Sequence, residues 1–416
     1  MTGTALDQIL PAALVLLAAL VARWRPAWIF SLVVVAIPLR VPVFPAVELA
    51  TLVLLGAVLG RAPAIVAAVR AEPRLFAMTF ALPAWFLASV LWARQPAFVY
   101  AAAGKWVVLW LAMALVIADD TLRPRRIVYS VLAAMVPMAL WGAAERLRLV
   151  TPMGDPKILR NRAIDLVFMV RGRALFWHPN RLAEFVEQIG LLLVGCGMAG
   201  IAPVLCAIGV AIAMVGTWGT DSKAGMGTMI GGTLLMIAWL QMSSTARRRA
   251  LWVGTAGLAG AIAVVAWAYW AHGGIGTRVL VYRYAWHLMA DEPLLGVGGG
   301  NWALAISAAP LSVSRFWFRT HAHSLPLQLA VEVGLVGVAL GGLLFAAPLW
   351  VAWRRLDHCA PEWRGVVHGA MAAVLGLLAH NLVHYFLRDP VDGILTGMLL
   401  GLAVAGVRMR DVPAAC

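Results

Sequence analysis

Charged residues are scarce in this chain: they make up only 12% of its 416 residues, whereas 62% are hydrophobic. An average soluble domain has about 25% charged residues, and a single globular core could not hide this much apolar surface from water. The composition therefore excludes an ordinary soluble domain and predicts a chain that is solvated by lipid. Apolar segments such as 127–144 and 251–270 approach the roughly 20 residues that a helix needs to cross a bilayer.

Cysteine is also rare, with four residues in the whole chain. Their spacing is not that of a zinc site, and Cys196 and Cys206 lie in apolar stretches that are typical of buried thiols. We expect neither a metal nor another cofactor. The N-terminus lacks the basic start and the small-residue cleavage site of a signal peptide, so its first apolar stretch is expected to remain as a span.

Acidic residues are the scarcer of the two charge types: 19 stand against 33 Lys and Arg, which gives a net charge of +14. This excess predicts anionic partners. Nucleic acid is not expected, because no basic aromatic module lies outside the apolar spans. Phosphorylated or anionic membrane lipid is the better match for a chain solvated by lipid.

The apolar segments predict an all-α polytopic integral membrane protein with twelve or thirteen transmembrane helices. The predicted spans are 8–22, 27–43, 46–60, 75–93, 99–118, 127–144, 182–199, 201–217, 224–241, 251–270, 325–350, 366–386 and 391–408. Pro38, Pro42 and Pro45 leave the second and third spans short or broken. Arginines in alternate loops lie on one side, which we take as cytoplasmic together with the C-terminus, while the side of the N-terminus stays open.

The predicted spans divide the chain into five parts. These are the N-terminal helices 1–144, a first basic loop 145–181, the central helices 182–270, a large loop 271–324 that carries the catalytic residues, and the C-terminal helices 325–416.

Both long loops fall on the side opposite to the cytoplasm and are strongly basic, although the positive-inside bias predicts few positive charges there. Their basic residues are Arg146, Arg148, Lys157, Arg160, Arg162, Arg171 and Arg173 in the first loop, and Arg278, Arg283, Arg315 and Arg319 in the second. Either these charges serve a function, or long loops are translocated regardless of charge. No internal repeat is apparent, so an inverted-repeat transporter is not supported.

The first loop ends in His178, Pro179, Asn180 and Arg181. Proline and asparagine are typical helix-start residues, so this segment either caps a helix or lines a polar site. The turn 217–225 also precedes a helix, whose N-terminal N–H groups and dipole favour an anion. Lys223 there either binds a phosphate or extends from a tight hairpin to the interface.

In the second loop, Arg278 precedes an aromatic stretch that includes Arg283, and a run of glycines leads to Asn301. The glycines resemble a phosphate-binding loop only superficially, because no Gly-Lys-Ser/Thr follows and no strand precedes them. We expect a sharp turn that lets Asn301 approach a ligand, after an amphipathic helix at the membrane interface.

Two pairs of histidines stand near the predicted outer face. His321 and His323 close the second loop, where a neutral imidazole can accept a proton from a hydroxyl group. A metal site is the alternative, but no nearby Asp or Glu completes a ligand set. His380 and His384 lie at i and i+4 of a predicted helix without the Glu of an HExxH motif, so we expect polar contacts within the bundle, with Arg388 at its outer edge.

Four motifs follow one another between about residues 175 and 340. They are the Pro-Asn pair at 179–180, the Asp-Ser-Lys turn at 221–223, the block R-x3-Y-x10-PLLGVGGGN from Arg278 to Asn301, and HAHSLPLQLAVEVGLVG from His321. With the His-Asn pair at 380–381 and Arg388, they resemble the O-antigen ligase and polymerase superfamily.

The resemblance implies transfer of a polysaccharide from undecaprenyl pyrophosphate to the sugar core of lipid A, at the periplasmic face of a Gram-negative inner membrane and without a metal. It also implies that His323 is the base on the acceptor hydroxyl and that Arg278 and Lys223 bind the pyrophosphate. The family turn more often has Ser-Arg-Gly, so Lys223 supplies a point charge without bidentate recognition. The other residues expected to bind substrate are His321, Asn301, Arg283, Arg319, Arg171, Arg173, Asn180, Arg181 and Arg388.

Direct displacement at the anomeric carbon, with inversion, is the expected reaction, because fixed cations stabilise a diphosphate leaving group and one base activates the acceptor. Within the superfamily, an O-antigen polymerase or a protein O-oligosaccharyltransferase would use the same donor. The ligase is favoured because the outer loops lack an added soluble domain for another acceptor. From a different class, a transporter of an anionic lipid or solute would use a cationic cavity for binding alone.

Overall fold

The computed structural model describes residues 5–39, 48–150, 171–176, 178–241, 277–307, 321–387 and 390–409, and every regular element within these ranges is helical. The helices are α1 Ala5–Trp24, α2 Ile29–Ala36, α3 Leu49–Gly60, α4 Ala62–Ala71, α5 Pro73–Ala88, α6 Pro96–Ile117, α7 Pro124–Arg146, α8 Pro179–Met198, α9 Pro203–Thr220, α10 Lys223–Gln241, α11 Thr277–Asp291, α12 Trp302–Ser307, α13 Leu325–Arg355, α14 Pro361–His380 and α15 Pro390–Gly406. The expected span at 251–270 and the residues Arg319 and Arg388 lie outside the described ranges.

Proline marks the first residue of nearly half of these helices. The seven that begin at proline are α5, α6, α7, α8, α9, α14 and α15. Proline is favoured at this position because its fixed φ already suits a helix and because its missing N–H would have no partner within the helix. The sequence therefore sets many helix starts locally.

Five of the described helices are long and apolar enough to cross a membrane, or up to seven if each of two bent pairs is one span. The five are Pro73–Leu91, Pro96–Ile117, Pro124–Arg146, Pro203–Thr220 and Leu325–His358, and the bent pairs are Leu10–Trp24 with Pro26–Ala36 and Leu49–Gly60 with Ala62–Ala71. An all-helical chain with several candidate spans is thus confirmed, whereas the count of twelve or thirteen stays a prediction.

Glycines bring the central helices into backbone contact. A Cβ on Gly369 of α14 would lie 2.5 Å from the carbonyl oxygen of Leu192 in α8, and one on Gly397 of α15 would collide with that of Leu109 in α6. Such small residues let membrane helices approach closely and gain dispersion contacts. The successive contacts show that α8 and α14 are antiparallel, whereas α6 and α15 are parallel.

A Cβ on Gly406 at the end of α15 would meet Val367 near the start of α14, and one on Gly225 of α10 would meet Ala183 of α8. Leu325 at the start of α13 bonds Asn381 at the end of α14. Five helices, α6, α8, α10, α13 and α15, therefore begin at one end of the bundle, which we call the site end. At the opposite end, Arg61 and Arg408 donate hydrogen bonds to backbone carbonyls at the close of α6. Arg355 pairs there with Glu72. Arginines that the sequence places on the cytoplasmic side therefore lie far from the site end.

Helix α13 is broken at Val333 and Gly334, where Gly334 has a φ of +69°. The segment that follows α11 enters this break: the N–H of Gly298 donates to the Glu332 carbonyl at 2.8 Å, and the N–H of Leu335 donates to the Pro293 carbonyl at 2.8 Å. These bonds satisfy backbone groups that the break removes from the helix, as apolar surroundings require. The second loop is thereby fixed against α13.

Candidate active site

His321 and His323 lie in the short segment that leads into α13. His321 is buried, and its ring centroid is 4.0 Å from that of His323. The segment is held by its backbone: the N–H of His323 donates to Nδ1 of His321 at 3.2 Å, and the hydroxyl of Tyr282 donates to the carbonyl of His323 at 3.0 Å. Both imidazoles therefore have defined positions at the site end.

His384 is the centre of a larger cluster, which we call the histidine cluster: His178, His321, His323, His380 and His384. The ring centroid of His384 lies 6.1 Å from those of both His321 and His323, 6.2 Å from His178 and 5.7 Å from His380. Three segments far apart in sequence thus meet here. Among the described residues, no group of three or more His, Cys, Asp or Glu side chains is arranged to hold a metal ion.

Two buried carboxylates of α8 contact histidines of this cluster. Glu184 Oε1 lies 2.9 Å from Nδ1 of His384, and Glu187 Oε2 lies 2.9 Å from Nδ1 of His380. An imidazole that donates its Nδ1–H to a carboxylate presents Nε2 as an acceptor when it is neutral, and its protonated form is stabilised. At His384, whose ring lies beside those of His321 and His323, this arrangement suits proton transfer.

The expectation that His380 and His384 share one helical face is wrong. Helix α14 ends at His380, and Asn381 is its C-cap, so His384 lies beyond the helix. The N–H of Leu325 donates to the carbonyl of Asn381 at 2.8 Å, which joins the end of α14 to the start of α13. The turn after α14 places His384 beside His323. A helix that continued past His380 would have placed His384 elsewhere.

Tyr385 is buried beside this cluster, with its ring centroid 5.8 Å from that of His321. A tyrosine hydroxyl is protonated at neutral pH, so this side chain can donate a hydrogen bond beside the imidazoles.

The end of the first loop is fixed against the turn between α9 and α10. Arg171 donates through Nε to the Thr220 carbonyl at 2.8 Å and through Nη2 to Oδ1 of Asn180 at 2.7 Å. The N–H of Asn180 in turn donates to Nδ1 of His178, the N-cap of α8. Arg171 and Asn180 are thus connected to the histidine cluster, and the capping interpretation of His178 is correct.

Arg181 is buried in α8, with Nε 3.6 Å from Oδ2 of Asp392 at the start of α15. These two side chains, with Glu184 and Gln188, form the polar lining of a small recess whose other walls are apolar. Charged groups inside a membrane bundle are costly and usually mark a substrate path or a functional pair. This recess is the polar interior of the site end.

Other predicted residues lie around this centre. Lys223 is exposed at the first residue of α10, and Arg283 is exposed on α11. The backbone of Arg278 lies in the first turn of α11, and its side chain is outside the described part.

Asn301 is fully buried, and its amide bonds the backbone of Gln95 and Gly299. These bonds hold the glycine turn against the segment before α6. For Arg173, the described contact is a backbone N–H that donates to Glu145.

Sequence reasoning missed His384 as a partner of His323, and it missed Glu184, Glu187 and Tyr385 altogether. A signal was present for the two glutamates, because ionisable residues in an apolar helix indicate a functional or paired group. Their partners are about 200 positions away in sequence, so no local pattern identifies them.

Comparison with known proteins adds one finding. No curated protein matches the chain. The family model described as O-Antigen ligase matches residues 208–342, a region of about a third of the chain. That region includes Lys223, Arg278, Asn301, His321 and His323. Glu184 precedes the region and His384 follows it. Residues 208–342 are therefore similar to the O-antigen ligase family, which agrees with the resemblance of the sequence motifs.

Proposed function

We propose that the protein is an O-antigen ligase, a metal-independent inverting glycosyltransferase of the inner membrane of a Gram-negative bacterium. It transfers O-antigen polysaccharide from undecaprenyl pyrophosphate to lipid A-core oligosaccharide at the periplasmic face. The observation that carries the proposal is the family match over residues 208–342, which contains His321 and His323 of the histidine cluster. That family implies lipid-linked polysaccharide substrates in general.

The site supports such a transfer on chemical grounds. The acceptor hydroxyl gives its proton to His323 while its oxygen attacks the anomeric carbon and the pyrophosphate leaves. Negative charge accumulates on the leaving group, and positioned cations stabilise it most where water is scarce. Arg278 and Lys223 are proposed to supply that charge.

The remaining predicted residues are proposed to bind the two substrates. They are His321, Asn301, Arg283, Arg319, Arg171, Arg173, Asn180, Arg181 and Arg388. The contacts of Arg171 and Asn180 support this role, because they hold two polar groups beside the histidine cluster.

The orientation of the bundle supports the proposed side of the membrane. The site end lies opposite to the arginines Arg61, Arg355 and Arg408, and such arginines are enriched on the cytoplasmic side. The site end would then face the periplasm.

The test is glycan transfer in detergent by purified protein, with undecaprenyl pyrophosphate donor, lipid A-core acceptor and a chelator. We expect product from the unchanged protein, and none from His323→Ala or Arg278→Ala. His358→Ala and Arg354→Ala change exposed residues at the opposite end and should retain activity. We expect an inverted anomeric linkage, since a retained one would reject direct displacement.

Parallel reactions with other acceptors decide among related functions. Transfer only onto a lipid-linked repeat would identify a polymerase, and transfer only onto a pilin-like peptide would identify a protein O-oligosaccharyltransferase. Binding of donor lipid without transfer to any acceptor, with movement of lipid across vesicles that survives His323→Ala, would indicate the transporter.

A further inference from the structure

Two carboxylate–imidazole pairs of nearly identical geometry lie one turn apart between α8 and the end of α14. In each pair a glutamate oxygen is 2.9 Å from Nδ1 of a histidine, and all four side chains are buried. They differ in their neighbours. The His384 ring lies 6.1 Å from the rings of His321 and His323, whereas the His380 ring lies 5.7 Å from that of His384.

The histidines also differ in how they can hold a proton. Nδ1 of His321 accepts the backbone N–H of His323, so protonation at that atom would break the bond. His178 is in the same position, because its Nδ1 accepts the N–H of Asn180. In contrast, Nδ1 of His384 faces Glu184 at 2.9 Å, and a carboxylate stabilises an imidazolium. Within reach of His323, His384 is therefore the ring best suited to receive a proton.

We propose that Glu184 and His384 are positioning residues that carry the acceptor proton away from His323. The inference rests on the proposed function and extends its mechanism to residues outside the region of the family match.

In the step, the acceptor oxygen forms a bond to the anomeric carbon, and the bond from that carbon to the pyrophosphate oxygen breaks with its electron pair. The acceptor proton moves to His323, and His323 passes a proton to His384 across a distance that one water molecule can bridge. The imidazolium of His384 is held by the Glu184 carboxylate.

The surroundings of this pair come from several elements. Arg181 on α8 interacts electrostatically with Glu184, and the amide of Asn381 donates to the same carboxylate at 3.3 Å. His380 on α14, His178 before α8, and His321 and His323 before α13 are further titratable groups beside His384. Glu187 on α8 interacts electrostatically with Glu184. The ionised form of Glu184 is the one that stabilises the His384 cation.

The test compares Glu184→Gln with its matched control Glu187→Gln. Both variants remove a buried carboxylate from an identical pair, and only the first faces His323. We expect Glu184→Gln to lower kcat about 10- to 100-fold, below the roughly 10²- to 10⁴-fold that general base catalysis contributes in full. KM for both substrates should stay within about twofold.

The pH profile separates a positioning role from a structural one. Without the carboxylate the protonated His384 is less stable, so the acidic limb of the kcat profile should move to lower pH in Glu184→Gln. Glu187→Gln should leave the limb and the plateau unchanged, and Glu184→Asp should recover part of both. Equal effects of the two glutamine variants, or an unshifted limb in Glu184→Gln, would overturn the proposal.

A measurement on the unchanged protein covers the case in which Glu184→Gln does not fold. A proton inventory of kcat in mixtures of light and heavy water should be curved, because two protons move in the step. A straight line, or no isotope effect, would contradict the relay. Failure of the proposed function is distinct, because it would leave the unchanged protein without product.

Discussion

Glu145 holds Arg173 by its backbone: a carboxylate oxygen of Glu145 accepts a hydrogen bond from the Arg173 N–H at 2.6 Å. The same oxygen accepts the N–H of Ala174 at 2.9 Å, and Glu145 is fully buried at the end of α7. This contact attaches the end of the first loop to the bundle beside the residues that cap α8.

Replacement of Glu145 by glutamine should loosen this attachment. Hydrogen bonds to a charged group contribute about 1.5–3 kcal/mol, and the amide oxygen of glutamine is a weaker acceptor. We expect a loss of this size in the free energy of unfolding, measured by detergent-induced unfolding. Limited proteolysis should cut the first loop faster. Glu292→Gln, at an exposed position, is the control, and equal loss in both variants would contradict the prediction.

Gly172 should not tolerate a side chain. A Cβ there would collide with the carbonyl oxygen of Gly142 in α7, and its N–H donates to the Gly219 carbonyl at 2.9 Å. Gly172→Ala should therefore displace the first loop and lower transfer activity at least about 10-fold, a barrier change of roughly 1.4 kcal/mol. Gly231→Ala, which meets no atom within 4 Å, should leave activity unchanged in the same assay.

The break in α13 depends on Gly334. Its φ is +69°, and a Cβ would collide with the carbonyl of Leu294, so alanine is both strained and blocked. Strained backbone of this kind costs about 1–3 kcal/mol before the collision is counted. We expect Gly334→Ala to lower thermal stability and to abolish transfer. Gly342→Ala in the same helix has open space, and it should remain as stable as the unchanged protein.

Variants of the Arg181–Asp392 pair should separate an effect on stability from an effect on activity. Asp392→Asn removes the carboxylate beside a buried guanidinium, and breaking such a pair costs about 3–5 kcal/mol. The double variant Arg181→Met with Asp392→Leu removes both charges and should unfold at a higher denaturant concentration than Asp392→Asn. It should still fail to transfer glycan, because Arg181 is proposed to bind substrate. A double variant that is less stable than Asp392→Asn would contradict the argument.

Much of the fold follows from local sequence. Hydropathy predicts apolar helices, because backbone N–H and C=O groups in lipid can form hydrogen bonds only with the protein itself. Proline is the first residue of seven of the described helices. The sequence also predicts His321 and His323 as candidate site residues. They end a basic loop, and their imidazoles can accept a proton.

The partners of those residues were decided by tertiary structure. Glu184 meets His384 only because α8 and α14 are antiparallel and α14 ends at His380. Asn301 bonds the backbone of Gln95, 206 positions away. From the sequence alone, this backbone contact could not be distinguished from the ligand contact that we expected for Asn301. Gly334 looks like any glycine in an apolar run, because the need for it comes from the segment that enters the helix break.

The sequence by itself determined that this chain is helical with several apolar spans, that it has two basic loops, and that its motifs resemble those of the O-antigen ligase family. Those properties depend on composition and on residues close together along the chain. Only the tertiary structure decided which of the nine histidines are hydrogen-bonded to a carboxylate, and at which end of the bundle the polar side chains lie. Contacts between residues about 200 positions apart depend on which helices pack together, and no local pattern in the sequence identifies the two partners.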